Sequence, residues 1–435
     1  MSGLLAALKN FGNAFFPNFS LSLAVFAPFR SEEALPEGAV RLSCARMSFV
    51  EQLQSLDDGA ALSPLLKRFS SLTAPIQRPD LEALAVESVA KTRQNFGRTM
   101  RLFAPIYLSN ECVNNCAYCG FSRDNPILRT TLTVPQVVKE ARHLTALGFR
   151  HILLVAGEHP KFVSEGYLAE CIAALRSSVP TLAIEVGPME TPEYIPLVDA
   201  GCEGLVVYQE TYHREAYAKY HTAGPKKHFD WRLECPERGY EAGFRHIGIG
   251  ALMGLADWRY DVLRLAAHLE YLYRHCWKAA FTISLPRLRP AAGEFQPEHL
   301  LSDAEFVQIL CAFRVCFPQV GIILSTRESA ALRNSLFPLC VTSVSAGSHT
   351  EPGGYTGEGA DDVHLTVKGR RVELEQKPSA SCSESITETS ATGQFDIADG
   401  RSPEAIAAYL KSLHLEPVWK DWDASILVPF VTPTA

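Results

Sequence analysis

Short apolar runs recur along the central part of the chain, each bounded by glycine, proline or charge and each followed by residues with helical spacing. RLFAPIYLSN (101–110), HILLVAG (151–157), LAIEVGP (182–188), GLVVYQE (204–210), HIGIGALMGL (246–255), AFTISLPRL (280–288), GIILSTR (321–327) and LCVTSVSAG (339–347) read as strands. Between them, segments such as VPQVVKEARHLTALG, EGYLAECIAALRSS, RLECPERGYEAG, DVLRLAAHLEYLYRHC and DAEFVQILCAFRVC read as helices. Eight strands alternating with helices predict a parallel (β/α)8 barrel of the TIM type. A helix over 81–97, closed by Gly97, precedes the first strand.

The texture changes outside this block. Residues 356–392 are rich in Ser, Thr, Glu and Gly, which predicts a disordered insertion or mobile loop. Order is expected to return in GQFDIADGRSPEAIAAYLKSLHLEPVWKDWD, as a cap on the barrel. The expected organisation is therefore an extension over 1–46, a helical region over 47–98, the barrel over 99–355, the polar insertion, and a cap over 393–435.

Composition narrows the function. The chain has 435 residues, 47% of them hydrophobic, enough for one large catalytic domain. The 41 basic and 48 acidic residues are interspersed, which argues against a nucleic-acid or anionic-membrane partner. No apolar run is long enough to span a bilayer. Twelve cysteines, most of them single in apolar stretches, fit a reducing compartment better than a disulfide framework. A cytoplasmic location is expected from this, or an organellar one if the acid-free first 30 residues act as a transit leader. Met47 begins MSFVEQLQSLDD, which reads like an ordinary cytosolic start.

The chemistry begins in NECVNNCAYCGFS, where Cys112, Cys116 and Cys119 are spaced C-x3-C-x2-C directly after the first strand. Barrel active sites form at the carboxyl ends of the strands, so this loop puts three thiolates at the catalytic mouth. Three protein ligands on a four-iron cluster leave one iron open to a small molecule. A structural zinc site wants a fourth ligand at short spacing, and none precedes His143; a redox pair needs only two of the three thiols.

The triplet, with the aromatic Tyr118 before its last cysteine, resembles the signature of the radical S-adenosylmethionine superfamily. That resemblance implies one three-cysteine [4Fe-4S] cluster, whose open iron is chelated by S-adenosylmethionine and which releases a 5′-deoxyadenosyl radical on reduction. Gly157 and Glu158 stand where the superfamily has a glycine-rich motif for the methionyl amine. Glu185 and Glu210, in otherwise apolar strands, are read as contacts to S-adenosylmethionine or as partners of a barrel arginine, and Arg232 as a candidate for the methionyl carboxylate. Arg327, at the end of the seventh strand, offers a planar fork for a substrate carboxylate, with Arg287 and Arg289 as rivals. Ser345 offers a hydroxyl to the ligand or belongs only to a turn.

A narrower resemblance follows from blocks in order: YLSNECVNNCAYCGFSRDN, LLVAGEHP, VYQETYH, GIGALMGLADWR, LPRLRPAAG, LSTRES, SAGSHTEPGGY, GQFDIADGRS and LEPVWKDWD. They are similar to the tyrosine lyases of bacterial thiazole biosynthesis, the 2-iminoacetate synthases. Membership implies hydrogen abstraction from the amino group of L-tyrosine and cleavage of its Cα–Cβ bond to 2-iminoacetate and p-cresol. It also implies a complex with thiazole synthase and a flavodoxin or ferredoxin as electron donor. The insertion and the first 46 residues depart from the family pattern. A hydrogenase-maturation tyrosine lyase would carry a carboxyl-terminal cysteine cluster, but only Cys382 lies beyond Cys340. A tryptophan lyase and a non-catalytic iron–sulfur protein are the alternative readings.

Overall fold

A computed structural model describes residues 47–372 and 390–419 of the chain. The expected extension over 1–46 lies outside the described residues, as do 373–389 and the end of the expected cap.

All eight apolar runs form strands of one sheet: β1 (Thr99–Ser109), β2 (His151–Ala156), β3 (Thr181–Glu185), β4 (Gly204–Glu210), β5 (His246–Ala251), β6 (Ala280–Ser284), β7 (Gly321–Leu324) and β8 (Ser343–Ser345). Neighbours pair in parallel and in chain order. Pairing of β1 with β8, Arg101 against Ser343, closes the barrel. A strand buried on both faces needs apolar residues at consecutive positions, and β1 shows this as a nearly unbroken buried run from Leu102 to Ser109. The outward side chains of the strands pack under the surrounding helices in one continuous core.

Among the described residues, three helices precede the barrel: α1 (Phe49–Asp57), α2 (Pro64–Leu72) and α3 (Arg78–Phe96). Ser48 and Glu51 cap α1 reciprocally, and its Phe49 ring stacks on His268 at 4.1 Å. The carboxyl-terminal strand Glu416–Val418 pairs in parallel with the first residues of β1, below the point where β2 begins. It therefore continues the wall at the amino-terminal end of the barrel.

The disordered insertion expected over 356–392 is corrected over its first part. His364–Val367 and Arg370–Val372 form an antiparallel hairpin, and the former strand also pairs with Ile127–Arg129 beside the cysteine loop. Composition missed this because the segment has little core of its own. It is held by an edge strand and by buried polar partners on the barrel.

Candidate active site

The loop after β1 carries the three cysteines, and buried polar side chains fix its shape. Arg129 is 1% exposed and donates to the carbonyls of Asn110, Phe121 and Ser122. Its Nε also donates to Thr366 Oγ1 of the hairpin, at 2.6 Å. One planar guanidinium thus ties together both ends of the loop. His364, also in the hairpin, puts Nε2 2.9 Å from Glu111 Oε1, the residue before Cys112. On the far side, Gly120 N–H donates to the Gln394 carbonyl, and Gln394 Nε2 lies 3.9 Å from Cys119 Sγ. Gln394 Oε1 accepts from Tyr107 OH at 2.9 Å.

Cys119 sulfur lies close enough to Cys112 and Cys116 to raise the cost of ionising those two. Burial first, then neighbouring sulfur, pushes the Cys112 thiol up; at Cys116 burial does the same, opposed by Lys226. Metal binding reverses this preference, because a bound metal takes the thiolate. Three sulfurs on one loop, with Cys116 buried and its two partners half-buried, fit a multi-iron cluster with one open iron.

The acidic residues gather beside them. Gly157 N–H donates to Ser109 O, and a Cβ there would come within 2.3 Å of Glu111 O, so only glycine lets β2 end against the cysteine loop. Glu158 follows and accepts from Asn114 Nδ2 at 2.6 Å. A Cβ on Gly187 would meet its carboxyl group at 2.5 Å. Glu210, at the end of β4, has φ 72° at a bulge and is 7% exposed. It accepts from Lys226 Nζ at 2.7 Å and Arg232 Nη2 at 3.4 Å. Burial would raise its carboxyl, but these two cations hold it below the usual range. Arg232 also donates to Tyr208 O. Tyr118 OH lies 2.8 Å from His221 Nε2, with Lys226 Nζ 5.6 Å from the Tyr118 ring centre. Burial drives His221 down to about 3, so the ring is neutral.

Glu185 ends β3 facing this group; burial raises its carboxyl to about 7, opposed chiefly by Arg327. The Arg327 guanidinium lies flat on the Phe395 ring, 3.4 Å from its centre. The structure therefore brings the three cysteines, Tyr118, Gly157, Glu158, Glu185, Glu210, Arg232 and Arg327 to one mouth. Arg289 lines a cavity of about 250 Å³ together with Arg287, and Arg287 is engaged by Glu328 and Asp303. The Ser345 hydroxyl accepts from Thr326 N–H, and its carbonyl from Arg333, so Ser345 braces the turn that carries Arg327. Motif reasoning missed Arg129, Lys226, Gln394 and Phe395. Of these, only Gln394 and Phe395 lie in a block, GQFDIADGRS, that the sequence already marked.

Comparison with known proteins agrees with this geometry. A model of the radical SAM superfamily matches residues 106–266, and one of the biotin and thiamin synthesis associated domain matches 284–416. The 2-iminoacetate synthase of Escherichia coli (strain K12) is 42% identical over 81% of this chain and 86% of its own length. That of Salmonella typhimurium (strain LT2) is 40% identical over the same shares. Among solved structures, the FeFe-hydrogenase maturase HydG from Carboxydothermus hydrogenoformans superposes with a TM-score of 0.72 at 32% identity, covering 87% of this chain and 80% of that one. Cys382, the sole cysteine past Cys340, lies outside the described residues. Identity of 40–42% over most of both chains, with the radical SAM match, shows the family: the chain belongs to the 2-iminoacetate synthase family of radical S-adenosylmethionine carbon–carbon lyases.

Proposed function

We propose that this protein cleaves the Cα–Cβ bond of L-tyrosine, giving 2-iminoacetate and p-cresol, with the residues of the upper mouth in distinct roles. The observation that carries this reading is the meeting of a three-thiol loop, a carboxylate–cation cluster and a guanidinium stacked on an aromatic ring at one end of one barrel. Cys112, Cys116 and Cys119 would hold a four-iron cluster, which together with S-adenosylmethionine supplies the one-electron chemistry that removes a hydrogen atom from the substrate amine.

The protein's own residues bind and orient. Glu158, braced by Asn114, suits the methionyl ammonium, and the close approach at Gly157 gives that group backbone contacts. Glu210 is committed to Lys226 and Arg232, so its part is to aim these two cations; Arg232 then suits the methionyl carboxylate. Arg327, held over the Phe395 ring, suits the carboxylate of tyrosine. Glu185 faces Arg327 and balances the ammonium side of the same zwitterion. Thiazole synthase as acceptor of the imine, a flavodoxin or ferredoxin as reductant, and a cytosolic compartment complete the reading. Among the described residues no helix is long and apolar enough to cross a membrane.

The test is anaerobic reconstitution with iron and sulfide, reduction, and addition of S-adenosylmethionine with tyrosine or tryptophan in parallel. Release of 5′-deoxyadenosine together with p-cresol from tyrosine supports the reading. Skatole or indole products from tryptophan instead would move the chain to the tryptophan lyases, and no cleavage of S-adenosylmethionine would end the enzyme reading altogether.

A further inference from the structure

A second segment, following β4, is built against the cysteine loop. Asn115–Cys116 pairs antiparallel with His221–Ala223, and Ala117 N–H donates to the Tyr220 carbonyl. Gly224, at φ 82°, approaches so closely that a Cβ there would lie 2.2 Å from Asn114 Oδ1, so the chain can pass only as glycine. The same Oδ1 accepts from the Lys226 N–H at 2.9 Å, and the Lys226 carbonyl accepts from Tyr217 OH. The backbone of Lys226 is therefore fixed beside the thiols at both of its polar groups.

Its side chain is turned inward. Nζ lies 2.7 Å from Glu210 Oε1 and 5.6 Å from the centre of the Tyr118 ring, which stands between Cys116 and Cys119 in the chain. Arg232 shares that carboxylate at 3.4 Å, and among the described residues no other carboxylate makes an ion pair with either cation. Two cations thus meet one carboxylate, beside a neutral His221. An excess buried charge is costly unless a charge of the opposite sign comes to it. Burial also raises the cost of ionising Cys116, and of the charged groups around that sulfur Lys226 does most to offset it. In return, burial would lower the Lys226 ammonium, but Glu210 first and then Cys116 and Cys119 hold it above the ordinary lysine range.

We infer that Lys226 is a redox-tuning cation: its ammonium favours the electron-rich form of a cluster held by Cys112, Cys116 and Cys119, and so eases the reduction with which turnover begins. A four-iron cluster on three thiolates is anionic and gains negative charge on reduction, so a fixed cation in a buried wall stabilises the reduced state more than the oxidised one. Glu210 holds the ammonium in place and moderates its field, while Arg232 is left for the methionyl carboxylate. The inference rests on the cluster placement proposed above and is independent of which amino acid is cleaved.

The experiment is an anaerobic redox titration of the reconstituted protein, followed by electron paramagnetic resonance and carried out without S-adenosylmethionine. Lys226→Met keeps the length of the side chain and leaves Arg232 on Glu210. At a fixed applied potential it should cut the ratio of reduced to oxidised cluster about tenfold, a fall of about 59 mV for one electron, at unchanged iron content. Lys226→Arg should restore the midpoint, and Glu210→Gln should raise it. A merely structural role predicts shifts of the same sign for Lys226→Met and Glu210→Gln, because both break the same ion pair. An unmoved midpoint in Lys226→Met, a fall in Glu210→Gln, or no restoration by arginine would each overturn the inference. So would weakened S-adenosylmethionine binding at an unchanged midpoint, which would make Lys226 a cofactor ligand instead. If Lys226→Met takes up no iron, Glu210→Gln still decides, since a midpoint that does not rise there rejects the role. The cluster placement is judged separately, by iron content and the resonance signal of the unsubstituted protein and of Cys116→Ser.

Discussion

The two ends of this barrel are made by the same eight strands and could hardly differ more in what fills them. At the carboxyl-terminal mouth, Glu210 is gripped by two cations, Arg129 by three carbonyls, and the cysteine loop is wedged between the hairpin and Gln394. At the amino-terminal end, Gly204, Gly248 and Gly321 stand at lining positions of a cavity of about 370 Å³, with Arg101, Glu203 and His246 among apolar side chains in its wall. The contrast teaches that strand geometry sets only the tube. Chemistry is assigned by what the loops and inserted segments press into one end and leave out of the other.

The comparison can be broken most completely at Cys116. Cys116→Ser should abolish iron and sulfide incorporation, read by metal analysis and visible absorbance, while the barrel keeps its thermal stability. Arg327→Ala should keep the cluster yet lower p-cresol formation on the order of a hundredfold, through loss of a charged bidentate contact. Stability is the next axis. Asp399 is nearly buried between Arg333 and Arg401, and the Asp399 and Ala398 N–H groups hold the Thr326 carbonyl. Asp399→Ala strands a fully buried guanidinium and should cost about 3–5 kcal/mol, read by denaturant titration.

Glu185 sharpens the comparison through pH. Its folded carboxyl stands at about 7 against an ordinary 4.5, so it is neutral in both states at low pH and costs nothing there. As pH rises from 4.5 the unfolded chain ionises first and stability falls. Above 7 the full penalty, about 3 kcal/mol, is present. Glu185→Gln should therefore stabilise cofactor-free protein at pH 8 and have no effect at pH 4, in thermal melts across that range. The smallest effect is expected at Gln394. Gln394→Leu removes the N–H directed at Cys119 sulfur and should lower the cluster's midpoint potential without changing iron content, because such donors favour the reduced, more negative state.

The barrel was legible because strands buried on both faces must be written as apolar runs, and all eight stand in the sequence undisguised. The cysteine triplet was legible because spacing alone defines it. The hairpin at 364–372 was not: its strands carry His364, Thr366, Arg370 and Arg371, polar residues whose place is set by an edge strand far away in sequence. Arg129 gives no local sign either, since a buried arginine is marked by the carbonyls it meets, not by its neighbours. Lys226 lies in a stretch, GPKKH, that reads as an exposed turn, yet it reaches the buried Glu210. Ser345 and Arg289 show the converse. For Ser345 the turn reading stood beside the ligand one, and its hydroxyl accepts from Thr326 N–H; Arg289, a rival for the substrate carboxylate, lines a cavity with Arg287.

The pairing of β1 with both β8 and Glu416–Val418 carries a consequence for synthesis. The first barrel strand gains β2 along its upper part early, but its other edge waits for β8 and its first residues wait for the last described strand, so the nascent chain must carry an open, hydrophobic sheet through most of translation. Helices α1 to α3 can fold early, but the wall at the amino-terminal end is finished last. Expression that slows late elongation, or a truncation that removes Glu416–Val418, should leave material that aggregates through that unfinished seam.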